Sequence, residues 1–293
     1  MNVLVAGGTG FIGRRLVQAL VARGDVVTVV SRDPSGARKT GPKGATHRGW
    51  LPALDAYDAV VNLAGANIFG RRWNAAYKRL IRESRVEATR RLVEAIGVAE
   101  DPPRVLVSGS AVGYYGRRGS EPLPDTATPG TDFMAQVCRA WEQEALRCPA
   151  RTVLLRTGIV LGRGGGALQR MLPPFRLGLG GPIGLGRHYM PWIHIDDIVG
   201  LILLALDDER LHGPLNGVAP GTVRNAGFTR ALGRALRRPT LFPVPPLALR
   251  LAFGPVSQIL TASQRCIPQA AQQHGYVFQH PEIEGALADV LSR

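Results

Sequence analysis

Apolar residues recur along this chain with two periods that alternate. Residues 2–6 (NVLVA) form an unbroken, mostly β-branched apolar run, the pattern of a strand buried on both faces. After GGTGFIG, the apolar positions Leu16, Val17, Leu20 and Val21 follow helical spacing, and Gly24 closes the segment. Val26 to Val30 is strand-like again. Strand, helix and strand within about 30 residues make one βαβ unit, and its crossover is expected to be right-handed.

The alternation continues beyond this unit. Residues 59–63 predict a strand. Residues 73–96 predict a long arginine-rich helix with Trp73, Tyr77, Leu80, Ser84, Ala88 and Leu92 along one face. A strand at 104–108, a helix at 133–146 and a strand at 152–160 follow. Such alternation predicts an α/β fold, a Rossmann-type doubly wound parallel sheet with helices on both faces. After Gly162 the texture changes: a glycine-rich stretch precedes residue 187, and 239–256 (PTLFPVPPLALRLAFGPV) is proline-rich and apolar. The expected organisation is a dinucleotide-binding domain over 1–165, with a return segment at about 190–210, and a smaller C-terminal substrate lobe over 166–293.

Composition narrows the class. The chain has 293 residues, 45% hydrophobic and 20% charged, as an ordinary globular protein does. The longest strongly apolar run, 198–206, is far short of the roughly 20 residues of a membrane span. Strand-like sequence from Asn2 leaves no room for a signal peptide, so a cytoplasmic protein with no membrane partner is expected. Cys138, Cys148 and Cys266 lie far apart, which suits a reducing compartment, and the six histidines show no metal spacing. The net charge is +14, carried by 33 arginines and three lysines scattered along the chain, so a solvated basic surface is favoured over a nucleic-acid site.

Gly7, Gly10 and Gly13 form G-x-x-G-x-x-G between a strand and a helix. The first glycine permits a tight turn, the second lets backbone approach a pyrophosphate, and the third lets helix and strand pack closely. The helix N-terminus adds unpaired N–H groups and the positive end of its dipole. Gly7, Thr9, Gly10, Phe11, Ile12 and Gly13 are therefore the expected phosphate loop. At the end of the second strand, Ser31 and Arg32 stand where an NAD site needs a carboxylate for the ribose hydroxyls. A hydroxyl and a guanidinium suit a 2′-phosphate, so NADP(H) is the expected cofactor. Asp33-Pro34 reads as a turn.

Taken together, GGTGFIG, NLAGA (62–66), SGSAVGYYG (108–116), RTGIVLG (156–162) and PWIHIDD (191–197) resemble the extended short-chain dehydrogenase/reductases, which include nucleotide-sugar epimerases. With RRW (71–73), SRVEAT (84–89), CRAWE (138–142) and a tail holding Arg265, Pro268 and GYVF (275–278), the chain is similar to the atypical SDR39U-like epimerase family. The resemblance implies that Leu63, Ala64 and Gly65 pass beside adenosine and ribose. It implies that Arg85 reaches the cofactor, that Val160 lies near the nicotinamide, and that Ser110 hydrogen-bonds the reacting oxygen.

The resemblance breaks at one point. Catalytic members carry Tyr-x-x-x-Lys ahead of a glutamate, the lysine lowering a phenol pKa that is otherwise about 10. Anchored on Glu142, those positions are Met134 and Cys138. Tyr114, close to Ser110, offers a phenol with no lysine placed to tune it, and packing beneath the cofactor is its other reading. His194 is either an acid–base group or a satisfied structural residue. Two functions stay open: an NADP(H)-dependent oxidoreductase or epimerase-like enzyme on an unidentified small molecule, and a non-catalytic NADPH-binding sensor or interaction protein.

Overall fold

The structure, a computed structural model, describes residues 1–49 and 53–292. Seven parallel strands form its main sheet: β1 (Asn2–Ala6), β2 (Val26–Val30), β3 (Thr46–Arg48), β4 (Ala59–Asn62), β5 (Val105–Ala111), β7 (Arg151–Thr157) and β11 (Gly213–Gly217). The spatial order is β11-β7-β5-β4-β1-β2-β3. The chain winds outward from β1 through β2 to β3, then returns to β4 and winds the other way, so the order reverses between β1 and β4. Ligands of doubly wound sheets bind at such a reversal, beyond the carboxyl ends of the strands.

Both faces of the sheet are covered, and the period of two along β1 shows how. Val3 and Val5 pack into a core with α1 (Phe11–Ala22) and α6 (Ile195–Asp207). Leu4 and Ala6 point to the opposite core, with Leu92, Val93 and Ile96 of α3 (Ala75–Gly97) and Ala145 of α4 (Phe133–Ala145). The buried residues of α3 are Tyr77, Ile81, Val86, Thr89, Leu92, Val93 and Ile96, while Leu80 is exposed, so the apolar stripe read from sequence is offset along the helix. Trp73 precedes the helix; Asn74 caps it, accepting from Tyr77 N at 2.8 Å.

Three other elements differ from the sequence reading. Asp33-Pro34 opens a helix, α2 (Pro34–Thr40), with Asp33 as the N-cap and proline at the first helical position. Strand β11 (GPLNG) lacks β-forming residues, yet it extends the sheet at an edge, where Pro214 is tolerated. The strand expected over 152–160 is two: after Thr157 the chain steps out at Gly158, and β8 (Ile159–Leu161) pairs with β10 (Trp192–His194).

The remaining strands are β6 (Pro122–Leu123), β9 (Tyr189–Met190), β12 (Val223–Arg224) and β13 (Arg265–Cys266). The remaining helices are α5 (Gly166–Arg176), α7 (Asn225–Leu236), α8 (Pro246–Phe253), α9 (Ser257–Thr261), α10 (Gln269–Gln273) and α11 (Ile283–Leu291). Of these, α5, α7, α11 and β9 build a second core with β8 and β10, filled by Leu168, Phe175, Met190, Trp192, Phe228, Leu232 and Leu287. Ala271 of α10 packs into the main-sheet core, and Leu123 of β6 and Cys266 of β13 pack with Tyr115. No helix among the described residues is long and apolar enough to cross a membrane.

Candidate cofactor and substrate site

The glycine loop lies at the carboxyl end of β1, at the reversal. Gly7 has φ +82°, and a Cβ there would stand 2.7 Å from the carbonyl of Leu63 in the loop after β4. A Cβ on Gly13 would stand 2.2 Å from the Gly7 carbonyl oxygen, so only glycine lets α1 start this close to the strand. Gly10 is the N-cap of α1; no side chain caps the helix, and no acid occupies its first turn. The helix start is thus open toward an anion, and the loop fits a dinucleotide diphosphate.

The other residues expected to touch a cofactor gather on this edge. Leu63 and Ala64 run beside Gly7, Gly65 lies against the Arg85 side chain, and Ala64 N donates to Asn62 Oδ1 at 3.2 Å. Arg85 reaches back from α3 and donates to Ala66 O at 3.1 Å and to Ile81 O at 2.9 Å. Its guanidinium lies 5.3 Å from the Trp141 ring, and burial lowers its pKa. Ser31 ends β2, where its hydroxyl exchanges hydrogen bonds with the backbone of Asp33 at 3.2 Å. The adjoining Arg32 is exposed. Val160 is buried in β8, and Phe11 packs on the turn that follows that strand.

Ser110 and Tyr114 sit beside a buried ionic network. Ser110 Oγ donates to Glu142 Oε1 at 2.6 Å, and Arg156 grips both oxygens of Glu142 at 2.9 Å. Arg156 also donates to the Tyr115 hydroxyl at 3.0 Å and to Asp125 O at 2.8 Å. The Tyr115 hydroxyl donates to Asn216 Oδ1 at 2.7 Å. Burial pushes the Tyr115 pKa up, so this phenol is a structural tie. Tyr114 lies face-on to the Arg156 guanidinium, 3.5 Å from its ring centre. Met134 and Cys138 of α4 face Gly113, and burial pushes the Cys138 thiol up to about 12, a packing residue with no thiolate.

Sequence reasoning did not assign roles to Glu142 and Arg156, nor find Asp125 and Asn216. The signal was a buried charged pair inside two of the motifs, but sequence cannot tell which of 33 arginines faces a carboxylate. It also missed a pocket of about 470 Å³ lined by Arg117, Arg187, His188, Arg224 and Ser263. Arg224 and Arg265 lie 5.2 and 5.6 Å from the Tyr189 ring centre. None of these four arginines has a carboxylate within ion-pair distance among the described residues. His188 Nε2 and Arg265 Nε are buried without hydrogen-bond partners among the described residues. Burial, with Arg117 close by, lowers the His188 pKa.

His194 is a helix cap. Its Nδ1 accepts from Asp196 N at 3.2 Å, its Nε2 lies 3.2 Å from Asp289 Oδ2, and its ring stacks on His280 at 3.8 Å. His194, Asp196 and His280 bring three possible ligand atoms within 4.8 Å, but both His194 nitrogens are engaged and Arg15 holds Asp196 at 2.6 Å.

Residues 3–216 match the model of the NAD dependent epimerase/dehydratase family, and 244–290 match a domain of unknown function, DUF1731. The chain belongs to the NAD dependent epimerase/dehydratase family. It is similar over its whole length to Epimerase family protein SDR39U1 of Homo sapiens, 44% identical over 300 residues and all of both chains. Epimerase family protein YfhF of Bacillus subtilis is 35% identical over 303 residues, covering 100% of this chain and 98% of that one. The crystal structure of the human protein (isoform 2) with NADPH has a TM-score of 0.93 at 41% identity, over all of both chains. The Thermus thermophilus UDP-glucose 4-epimerase complexed with NAD shares the fold, with a TM-score of 0.76 at 22% identity over 99% of this chain and 98% of that one.

Proposed function

We propose that the protein is an NADP(H)-dependent oxidoreductase or epimerase-like enzyme acting on a small anionic molecule. The observation that carries this reading is the pairing of an open glycine loop with Arg32 at the end of β2, where a carboxylate would repel a 2′-phosphate. The NADPH in the human relative's structure supports the same choice. When bound, the cofactor supplies or accepts hydride. Tyr114 offers the proton. Ser110 has its own hydrogen committed to Glu142, so its oxygen is left to accept from a substrate hydroxyl. The unneutralised arginines around His188 favour a substrate bearing carboxylate or phosphate.

One observation favours a second reading, a non-catalytic NADPH-binding role: Met134 and Cys138 replace the tyrosine and lysine, and the thiol is buried. A single experiment separates the two. NADPH affinity is measured by nucleotide fluorescence, and NADPH consumption is followed across carbonyl acids, sugar phosphates and nucleotide sugars. Turnover that Tyr114→Phe abolishes, with NADPH affinity kept, establishes the enzyme. Tight NADPH binding without turnover establishes the second reading, and failure to bind NADPH overturns both.

A further inference from the structure

The positive charge of this chain is not evenly spread. Residues 163–195 and 210–281 hold twelve arginines and not one Asp or Glu, where even spreading would place about eight acids. Residues 163–293 as a whole hold thirteen arginines and eight acids, so the excess of positive charge is local to these two segments.

The same segments expose a strip of apolar side chains. Ile183 bridges to Val244; Val244 N donates to Pro182 O at 2.8 Å, and Gly184 N to Val244 O at 2.9 Å. Residues 181–184 therefore lie against 242–246, with 177–179 leading into this contact and α8 leading out of it. Leu177, Leu179, Leu241, Phe242, Leu247 and Leu251 on these segments are 64–77% exposed. Isolated exposed apolar residues are ordinary, but a contiguous group marks a contact surface. Arg176, Arg237, Arg238 and Arg250, all exposed, border or interrupt the strip.

We infer that this lip docks on an anionic phospholipid surface. Apolar side chains that enter the headgroup boundary, surrounded by arginines that pair with lipid phosphates, are the composition of an interfacial contact. The two other candidate occupants fit less well. A second copy placed face to face would bring two acid-free basic surfaces together. A nucleic acid would use the arginines but leave exposed leucines and a phenylalanine without a role. The expectation of no membrane partner rested on the missing span, and docking at the surface needs none.

Flotation of the full chain with vesicles tests the inference. Vesicles of phosphatidylcholine alone are compared with vesicles containing about 30% phosphatidylglycerol, at low and at physiological salt, where screening acts over about 8 Å. Binding is expected to the anionic vesicles only and to weaken with salt. Phe242→Ser/Leu247→Ser should lower partitioning at least tenfold. Arg237→Gln/Arg238→Gln should lower it roughly thirtyfold. Both variants alter exposed positions and should keep wild-type thermal unfolding and NADPH affinity. No binding to anionic vesicles overturns the proposal. Binding that ignores the Phe242 and Leu247 changes reduces the effect to bulk charge and also overturns it. Self-association that those changes abolish, without vesicle binding, assigns the lip to a second copy.

Discussion

Ser110 and Glu142 are joined by a hydrogen bond of 2.6 Å, both buried, with the hydrogen given by the serine. The same carboxylate is held on both oxygens by Arg156, whose charge is opposed by burial but secured by Glu142, so that its pKa is raised. Ser110 thereby links the end of β5 to α4 and β7, and its place beside the cofactor edge is fixed by an ion pair instead of by backbone alone.

Removing one member of that pair strands the other. Glu142→Leu should cost about 3–5 kcal/mol in urea unfolding because Arg156 is left charged and buried. The double variant Glu142→Leu/Arg156→Met should recover most of the loss. Ser110→Ala deletes one hydrogen bond to a charged group and should cost only about 1.5–3 kcal/mol. A double variant no more stable than Glu142→Leu would show that the network matters beyond its charges.

Arg32→Asp should weaken NADPH at least tenfold and leave NADH unchanged or improved, since a carboxylate repels the 2′-phosphate and accepts from ribose hydroxyls. Titration of both nucleotides against the variant checks this. Equal loss of both would mean that Arg32 does not read the 2′-phosphate.

Gly13→Ala should abolish dinucleotide binding and destabilise the fold by about 1–3 kcal/mol, because its methyl group meets the Gly7 carbonyl oxygen. Gly24→Ala serves as control for the loop: its Cβ would meet nothing within 4 Å, though its φ of +90° carries a backbone cost. Thermal unfolding with and without NADPH separates the two, since only Gly24→Ala should keep the ligand-induced rise.

His194 sets a pH dependence. Burial, then the neighbouring His280, lowers its pKa from the ordinary 6.5, while Asp196, Asp289 and Asp197 act the other way. The unfolded chain therefore takes up a proton that the folded chain refuses, and stability falls as pH drops through about 6.5. His194→Asn keeps a helix cap and removes the titration. Its melting temperature should fall less than wild type between about pH 8 and pH 5.5; His188, shifted in the same direction, leaves part of the dependence in place.

The parallel sheet was legible because NVLVA and VVTVV are buried on both faces, and a strand without polar alternation leaves little else to read. The glycine loop was legible because its spacing states its geometry. Strand β11 was not, since GPLNG joins the sheet only because β7 offers a free edge. The arginine pocket was not, since residues from 117 to 263 meet there through tertiary contacts. A count over the whole chain also does not show that 163–195 and 210–281 lack acids. Asp33 was read as a turn residue because the N-cap of a seven-residue helix and a turn use the same side-chain chemistry.

The short ribbon of β8 and β10 bears on how the molecule can move. Val160 and Ile193 face the core of the main sheet, while their neighbours Leu161 and Trp192 face the second core. Two bonded strands thus act as a rivet through both bodies, and a rotation of one against the other would have to pull side chains out of one core or the other. Movement is then left to segments at the rim, such as 177–185 and 239–251, with the two bodies held as a single anvil.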